Sequence, residues 1–248
     1  MLKWYPMDIN EMFERTAVVK GEENIVTLLA MLLLQRPAYE RAQLVGGFAS
    51  KLMCNPEYKG KIPKATDLDF IFRNAPEKLV KELKSRQLID RAERRYSIMG
   101  IRDGGVEETV NHSEHLVYDL PEEKFDLVDT FIGTLGGLVL PDDLAPTTFD
   151  FDLGTRAHRL SITHPGFLAA ACLYATSDKR LSRLRYLLES AERGNAFGKT
   201  YDVLKEGCKK TLDANKLGAQ ELDVAARKVA HRYCHIPLYR DFMQKMLA

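Results

Sequence analysis

The chain has 248 residues, 45% apolar and 29% charged, with a formal net charge of +1. That length supports a substantial core and one or two domains, and the composition is that of an ordinary globular protein. The near-zero balance gives no bulk-charge argument for a nucleic-acid or membrane partner, although residues 178–248 hold 15 Lys/Arg against 9 Asp/Glu while the remainder is mildly acidic.

The N-terminus, Met1-Leu2-Lys3-Trp4-Tyr5-Pro6, lacks the apolar run of a signal peptide. Apolar runs such as Leu28 to Leu34 are far short of a membrane span. Cys54, Cys172, Cys208 and Cys234 have no paired spacing and suit free thiols in a reducing compartment. A cytoplasmic location with no membrane partner is the expectation.

In chain order, residues 8–36 predict helix, ended by Pro37. Gln43-Leu44-Val45 predicts a short strand running into Gly46-Gly47, and Phe48 to Met53 a short helix. Asn55 to Lys64, with two prolines and a glycine, predicts a loop. Asp67-Leu68-Asp69-Phe70-Ile71-Phe72 alternates as a two-faced strand does. Pro76 to Arg95 predicts helix, with Leu79, Val80, Leu83 and Leu88 near helical spacing. Strands are expected at Tyr96–Ile101, His115–Leu120 and Phe125–Ile132, with a turn at Asp103-Gly104-Gly105. Extended segments follow at Thr148–Leu153 and Arg159–Ile162. After Pro165 the apolar spacing becomes helical through Phe167–Ala175, Leu181–Leu188, Val203–Leu212 and Leu222–Tyr233. The expected fold class is α+β: a mixed-sheet domain over 1–160, then an α-helical bundle over 161–248.

Asp67 and Asp69, at i and i+2 on a strand, point the same way. Two neighbouring carboxylates repel unless a cation lies between them, and Mg²⁺ or Mn²⁺ is the natural oxygen-ligated neutraliser. Alone, such a pair fits a solvated strand face. The upstream Gly46-Gly47 adds weight, because glycines between a strand and a helix let backbone N–H groups approach a phosphate closely. Ser50 and Lys51 on the next turn would add a donor and a charge.

Strand, Gly46-Gly47-Phe48-Ala49-Ser50, loop and Lys64-Ala65-Thr66-Asp67-Leu68-Asp69-Phe70 together resemble the signature of the nucleotidyltransferase superfamily related to DNA polymerase beta. The resemblance implies a mixed-sheet nucleotidyltransferase domain in which Gly46 and Gly47 hold the triphosphate of an NTP. It implies that Asp67 and Asp69 bind metal and that a third carboxylate on a later strand completes the site. Nineteen residues separate Gly47 from Asp67, more than is usual for the family, and the polar loop Asn55 to Lys64 accounts for the excess as an insertion. For the third acid, Asp126 in Phe125-Asp126-Leu127-Val128 is favoured and Asp129 is the reserve. The two are three apart, so a regular strand turns them to opposite sides. Asp150 and Asp152 rank third.

Ile162-Thr163-His164-Pro165-Gly166-Phe167-Leu168-Ala169-Ala170 is similar to the strand-to-helix junction of AbiEii-like nucleotidyltransferase toxins. A lysine usual early in that helix is absent, with Cys172 nearby. The resemblance implies transfer of NMP to an RNA (tRNA), protein or small-molecule hydroxyl, and an antitoxin partner if the chain is a toxin. The alternative from another class is a catalytically inactive binding module with the same fold. His112-x-x-His115 and His231-x-x-Cys234-His235 contain zinc-ligand types, but no Cys-x-x-Cys accompanies them, and exposed or hydrogen-bonded histidines are expected. No nucleophile elbow, P-loop or dinucleotide fingerprint is present.

Overall fold

The computed structural model describes residues 7–8, 25, 29–30, 32–34, 37–65, 67–78, 87–90, 95–98, 100–102, 105–107, 127–152, 157–175, 177–233 and 235–247. The chain is α+β, with a mixed sheet and a set of C-terminal helices. It divides into two compact units that interleave along the sequence: Met1–Phe48, Lys64–Gly137 and Thr148–Ile162 form one, and Ala49–Pro63, Leu138–Thr147 and Thr163–Ala248 the other.

The first unit is built on an eight-stranded sheet. Its strands are β1 (Met7–Asp8), β2 (Gln43–Val45), β3 (Asp67–Phe72), β4 (Gln87–Asp90), β5 (Arg95–Ile98), β8 (Leu127–Ile132), β11 (Thr147–Asp152) and β12 (Ala157–Ile162). Their spatial order is β1-β11-β12-β2-β3-β8-β5-β4. β3 runs parallel to β8 and antiparallel to β2, and β2 runs parallel to β12. The short strands β6 (Gly100–Arg102) and β7 (Gly105–Glu107) pair with each other, and β9 (Thr134–Leu135) pairs with β10 (Leu138–Val139).

Alternation along these strands separates two faces. One is apolar: Leu44, Leu68, Phe70, Phe72, Val128, Leu160 and Ile162 are wholly buried. On that face Tyr39, from the 3-10 turn Pro37–Arg41, packs edge-on against Phe70 at 5.1 Å and Phe72 at 5.4 Å. Its hydroxyl shares a 2.7 Å hydrogen bond with that of Thr130, which satisfies two polar groups inside the core. The helical residues Ile25, Leu29, Leu32 and Leu33 are also buried, in keeping with the helix expected over that stretch.

Three expectations need correction. Gln87–Asp90 is a strand, not the end of a helix, and it pairs antiparallel with Arg95–Ile98. The apolar run Leu88-Ile89 is too short for periodicity to choose between the two states, and the cross-strand partner decides. Asp8, expected to open a helix, closes strand β1. The expected loop 55–64 contains a helical turn, Pro56–Lys59, which suits proline at its first position. The expected strand 115–120 and the motif His112-x-x-His115 lie outside the described residues.

The second unit is helical. Helix α1 (Gly46–Met53) begins in the first unit and ends in this one, followed by α2 (Pro56–Lys59). The C-terminal helices are α3 (Pro165–Tyr174), α4 (Asp178–Glu192), α5 (Tyr201–Ala214), α6 (Asp223–Tyr233) and α7 (Pro237–Leu247). Two N-caps are visible: Gly166 N–H donates to His164 Nδ1 at 3.1 Å for α3, and Arg180 N–H donates to Ser177 Oγ at 3.3 Å for α4. α3 and α5 meet at glycine on both sides, because a Cβ on Gly166 would run into the backbone of Gly207 and Cys208.

Earlier segments are tied to these helices. Asn55 N–H donates to Ser190 Oγ at 2.7 Å, and the Asn55 amide donates to the carbonyl of Gly194 at 3.1 Å. Asn215 exchanges hydrogen bonds with the backbone of Val139. Cys54, Cys172 and Cys208 are buried free thiols. Burial pushes the Cys172 thiol up to about 11 and raises those of Cys54 and Cys208 as well. No described helix is long and apolar enough to cross a membrane.

Candidate metal and nucleotide site

The second face of the sheet carries the acids. Asp67 and Asp69 alternate with the buried Leu68 and Phe70, which anchor β3 from behind. Because β3 and β8 run parallel in register, Asp69 lies directly opposite Asp129. Cross-strand partners project to the same side, so residues 60 positions apart meet. Each of Asp67, Asp69 and Asp129 offers an oxygen within 4.8 Å of the others. Asp129 is 5% exposed, while Asp67 and Asp69 are half-buried.

On its other side, β3 pairs Asp69 with Val45, the last residue of β2. Gly46 follows with φ +72° and starts α1. A Cβ on Gly46 would fall inside the Asp69 carboxylate. Only glycine takes this left-handed turn without strain and also lets the backbone lie against the acid. Gly47 is buried and is not among the positive-φ glycines. Ser50 and Lys51 lie further along α1 and are each 1% exposed.

Three carboxylates this close repel one another by about 1 kcal/mol per pair in water, and by about 3–4 kcal/mol at an effective dielectric near 20. A divalent cation removes that cost and supplies attraction in its place. The donor set is entirely carboxylate oxygen, which matches Mg²⁺ or Mn²⁺ and not a thiolate- or imidazole-seeking metal. Among the described residues this is the one group of three potential ligands close enough to share an ion.

Asp126, the favoured third acid, lies outside the described residues. Asp129, the reserve, is the acid that joins Asp67 and Asp69. Asp150 is held in an ion pair with Arg159 at 3.0 Å. The two charges line an open cavity of about 460 Å³ with Pro37, Glu40, Arg41 and Ala157. His231 and His235 are exposed.

Among the solved structures that the chain resembles is an antigenic nucleotidyltransferase-like protein from Paracoccidioides brasiliensis, matched over 95% of this chain and 94% of its own, at 14% identity and a TM-score of 0.44. A likeness at that level shows neither a family nor a role for this chain. No family model matches the chain, and no curated protein does.

Sequence patterning alone had no means of preferring Asp129. The preference follows from the register of β3 against β8, and the only sequence signal for it was the parity argument that Asp126 and Asp129 face opposite ways. The closeness of Gly46 to Asp69 likewise leaves no mark in the local sequence pattern.

Proposed function

We propose that the chain is a metal-dependent nucleotidyltransferase that moves NMP from an NTP to a hydroxyl. The observation that carries this is the convergence of Asp67, Asp69 and Asp129 beside the Gly46 turn. In the reaction the acceptor oxygen forms a bond to the α-phosphorus, the bond from that phosphorus to the bridging oxygen breaks, and pyrophosphate leaves. A bound Mg²⁺ pair would neutralise the attacking and leaving oxygens. Asp67 and Asp69 would hold the metal. Asp129 would complete the ligand set and take the proton of the acceptor hydroxyl. The N–H groups of Gly46-Gly47 approach the triphosphate at the start of α1, where the helix dipole favours negative charge. The acceptor is an RNA (tRNA), protein or small-molecule hydroxyl, and a toxin role with an antitoxin partner fits the Thr163-His164-Pro165-Gly166 junction. Transfer of this kind depends on positioning and charge neutralisation, and rigid strands provide the positioning.

The test is incubation with α-labelled NTPs, Mg²⁺ and candidate acceptors. Asp69→Asn and Asp129→Asn each lower transfer by several kcal/mol of barrier, on the order of 10³-fold. A transfer activity that survives Asp69→Asn undiminished would falsify the assignment. Calorimetry separates the enzyme from an inactive module of the same fold: the enzyme binds NTP only with metal and loses that binding in Asp69→Ala, while a module shows no NTP binding under any metal.

A further inference from the structure

Tyr39 touches both strands of the carboxylate site from behind. Its ring packs edge-on against Phe70 and Phe72 of β3, at 5.1 and 5.4 Å. Its hydroxyl reaches the neighbouring strand and shares a 2.7 Å hydrogen bond with Thr130 of β8. Register sets the level of this contact: Thr130 lies opposite Phe70, and one residue earlier on each strand Asp129 lies opposite Asp69. Successive side chains alternate between the faces of a sheet, so Thr130 projects toward Tyr39 while Asp129 projects toward the other two acids. Tyr39 and Thr130 are no more than 1% exposed, and a hydrogen bond shielded from water is electrostatically stronger than one in it. Tyr39 is itself held on both sides. Its carbonyl accepts from Ala42 N–H at 3.0 Å, just before β2, and the next residue, Glu40, lies 3.0 Å from His158 Nδ1 of β12.

We infer that Tyr39 is a positioning residue of the metal site, acting through Thr130 to hold Asp129 level with Asp69, and that this rigidity makes the site select Mg²⁺ over Ca²⁺. Carboxylate oxygens within 4.8 Å of one another repel across β3 and β8 on the acid face, and the hydrogen bond behind the sheet opposes that repulsion. Mg²⁺ demands near-ideal octahedral oxygens at about 2.1 Å, whereas Ca²⁺ accepts a flexible shell at about 2.3–2.6 Å. A site whose third carboxylate drifts by roughly half an ångström therefore loses the smaller ion first.

The inference rests on the reading of Asp67, Asp69 and Asp129 as metal ligands, and it is tested by binding and not by turnover. Nucleotide-free protein is titrated in a calorimeter with Mg²⁺ and, separately, with Ca²⁺. Tyr39→Phe weakens Mg²⁺ binding by about 10-fold or more and Ca²⁺ binding by less than about threefold. Thr130→Val does the same, while Thr130→Ser, which keeps a hydroxyl, stays within about twofold of the parent. The double variant Tyr39→Phe/Thr130→Val separates positioning from stability. It leaves neither hydroxyl of the pair buried and unsatisfied, so its melting temperature returns toward that of the parent, while its Mg²⁺ binding stays as weak as in either single variant. Where thermal melts show a single variant unfolded, the double variant decides. Unchanged Mg²⁺ affinity in the folded variants, equal losses for the two cations, or a double variant that regains Mg²⁺ along with stability would each overturn the inference and leave Tyr39 a packing residue. Asp69→Asn keeps the two readings apart. A parent that binds neither cation, or binds Mg²⁺ undiminished by Asp69→Asn, overturns the metal site and the inference with it. A parent that loses Mg²⁺ with Asp69→Asn and ignores Tyr39→Phe overturns the inference alone.

Discussion

Gly46 concentrates two demands on one residue. Its φ of +72° costs an L-residue roughly 1–2 kcal/mol, and its missing Cβ leaves room for the Asp69 carboxylate. Gly46→Ala therefore lowers both stability and any metal-dependent transfer, and Gly47→Ala, free of the φ penalty, is milder. In an Asp69→Ala background the cost of Gly46→Ala shrinks to the backbone part alone, a coupling that urea melts of the double-mutant cycle measure. Equal costs in both backgrounds would show that the two residues do not conflict. At Tyr239 the argument runs the other way. Its hydroxyl is buried with no hydrogen-bond partner among the described residues, and burial pushes its ionisation upward. Tyr239→Phe removes an unsatisfied polar group and leaves the melting temperature unchanged or higher, by up to about 1 kcal/mol of stability. At this scale the sequence was legible where parity alone decides: Asp67 and Asp69 share a face because they are two apart on a strand. The third acid depends on which residue of a strand 60 positions away lies opposite Asp69, and local pattern has no access to that register.

The junction of α3 and α5 shows how an element is held by its first turn. His164 caps α3 by accepting from Gly166 N–H through Nδ1, and its ring fills the space over Gly207 that a Cβ would occupy. Burial, with Lys199 and Lys210 adding repulsion, lowers the His164 pKa to about 4. The folded state therefore keeps this imidazole neutral over a range where the unfolded chain protonates it near pH 6.5. The contribution is complete above about pH 6.5, falls as the pH drops and is gone below about pH 4. Urea melts across that window show a declining midpoint, and His164→Asn, which retains a capping oxygen, flattens the decline; an unchanged slope in the variant would assign the pH dependence to other groups. The C-terminal helices were readable beforehand because their apolar spacing is sustained over three turns or more. β4 was not, since the four residues Gln87–Asp90 are defined by Arg95–Ile98 alongside them and not by their own period.

For the whole molecule, the interleaving of the two units matters more than the change of texture near residue 160. The helices beyond Thr163 draw on residues 49–63 and 138–147. Asn55 satisfies groups on Ser190 and Gly194, Met53 accepts from Ala196 N–H, and Asn215 bonds Val139. A fragment of residues 163–248 expressed alone lacks all of these partners together with Tyr58. It is expected to show helical circular dichroism without a cooperative thermal transition, whereas the full chain melts sharply. A sharp, reversible melt for the fragment would mean that the earlier segments are decoration. The sequence showed the helical spacing but not this dependence, because Asn55 and Val139 carry no mark of the distant groups they serve.

The register that places Asp69 against Asp129 also has a consequence in time. Leaving the ribosome, β2 and β3 emerge early, yet β3 waits for β8 about 60 residues later, and β2 waits for β12 more than 110 residues later. Pairings of such long sequence separation pay their loop-closure entropy before any contact repays it. The carboxylate cluster therefore assembles late, and the nascent chain carries the apolar strand Leu68-Asp69-Phe70-Ile71-Phe72 unpaired on its β8 side through much of its synthesis. Refolding is slow for a chain of this size, and aggregation during refolding is suppressed by holding this segment covered until residues 127–162 are available.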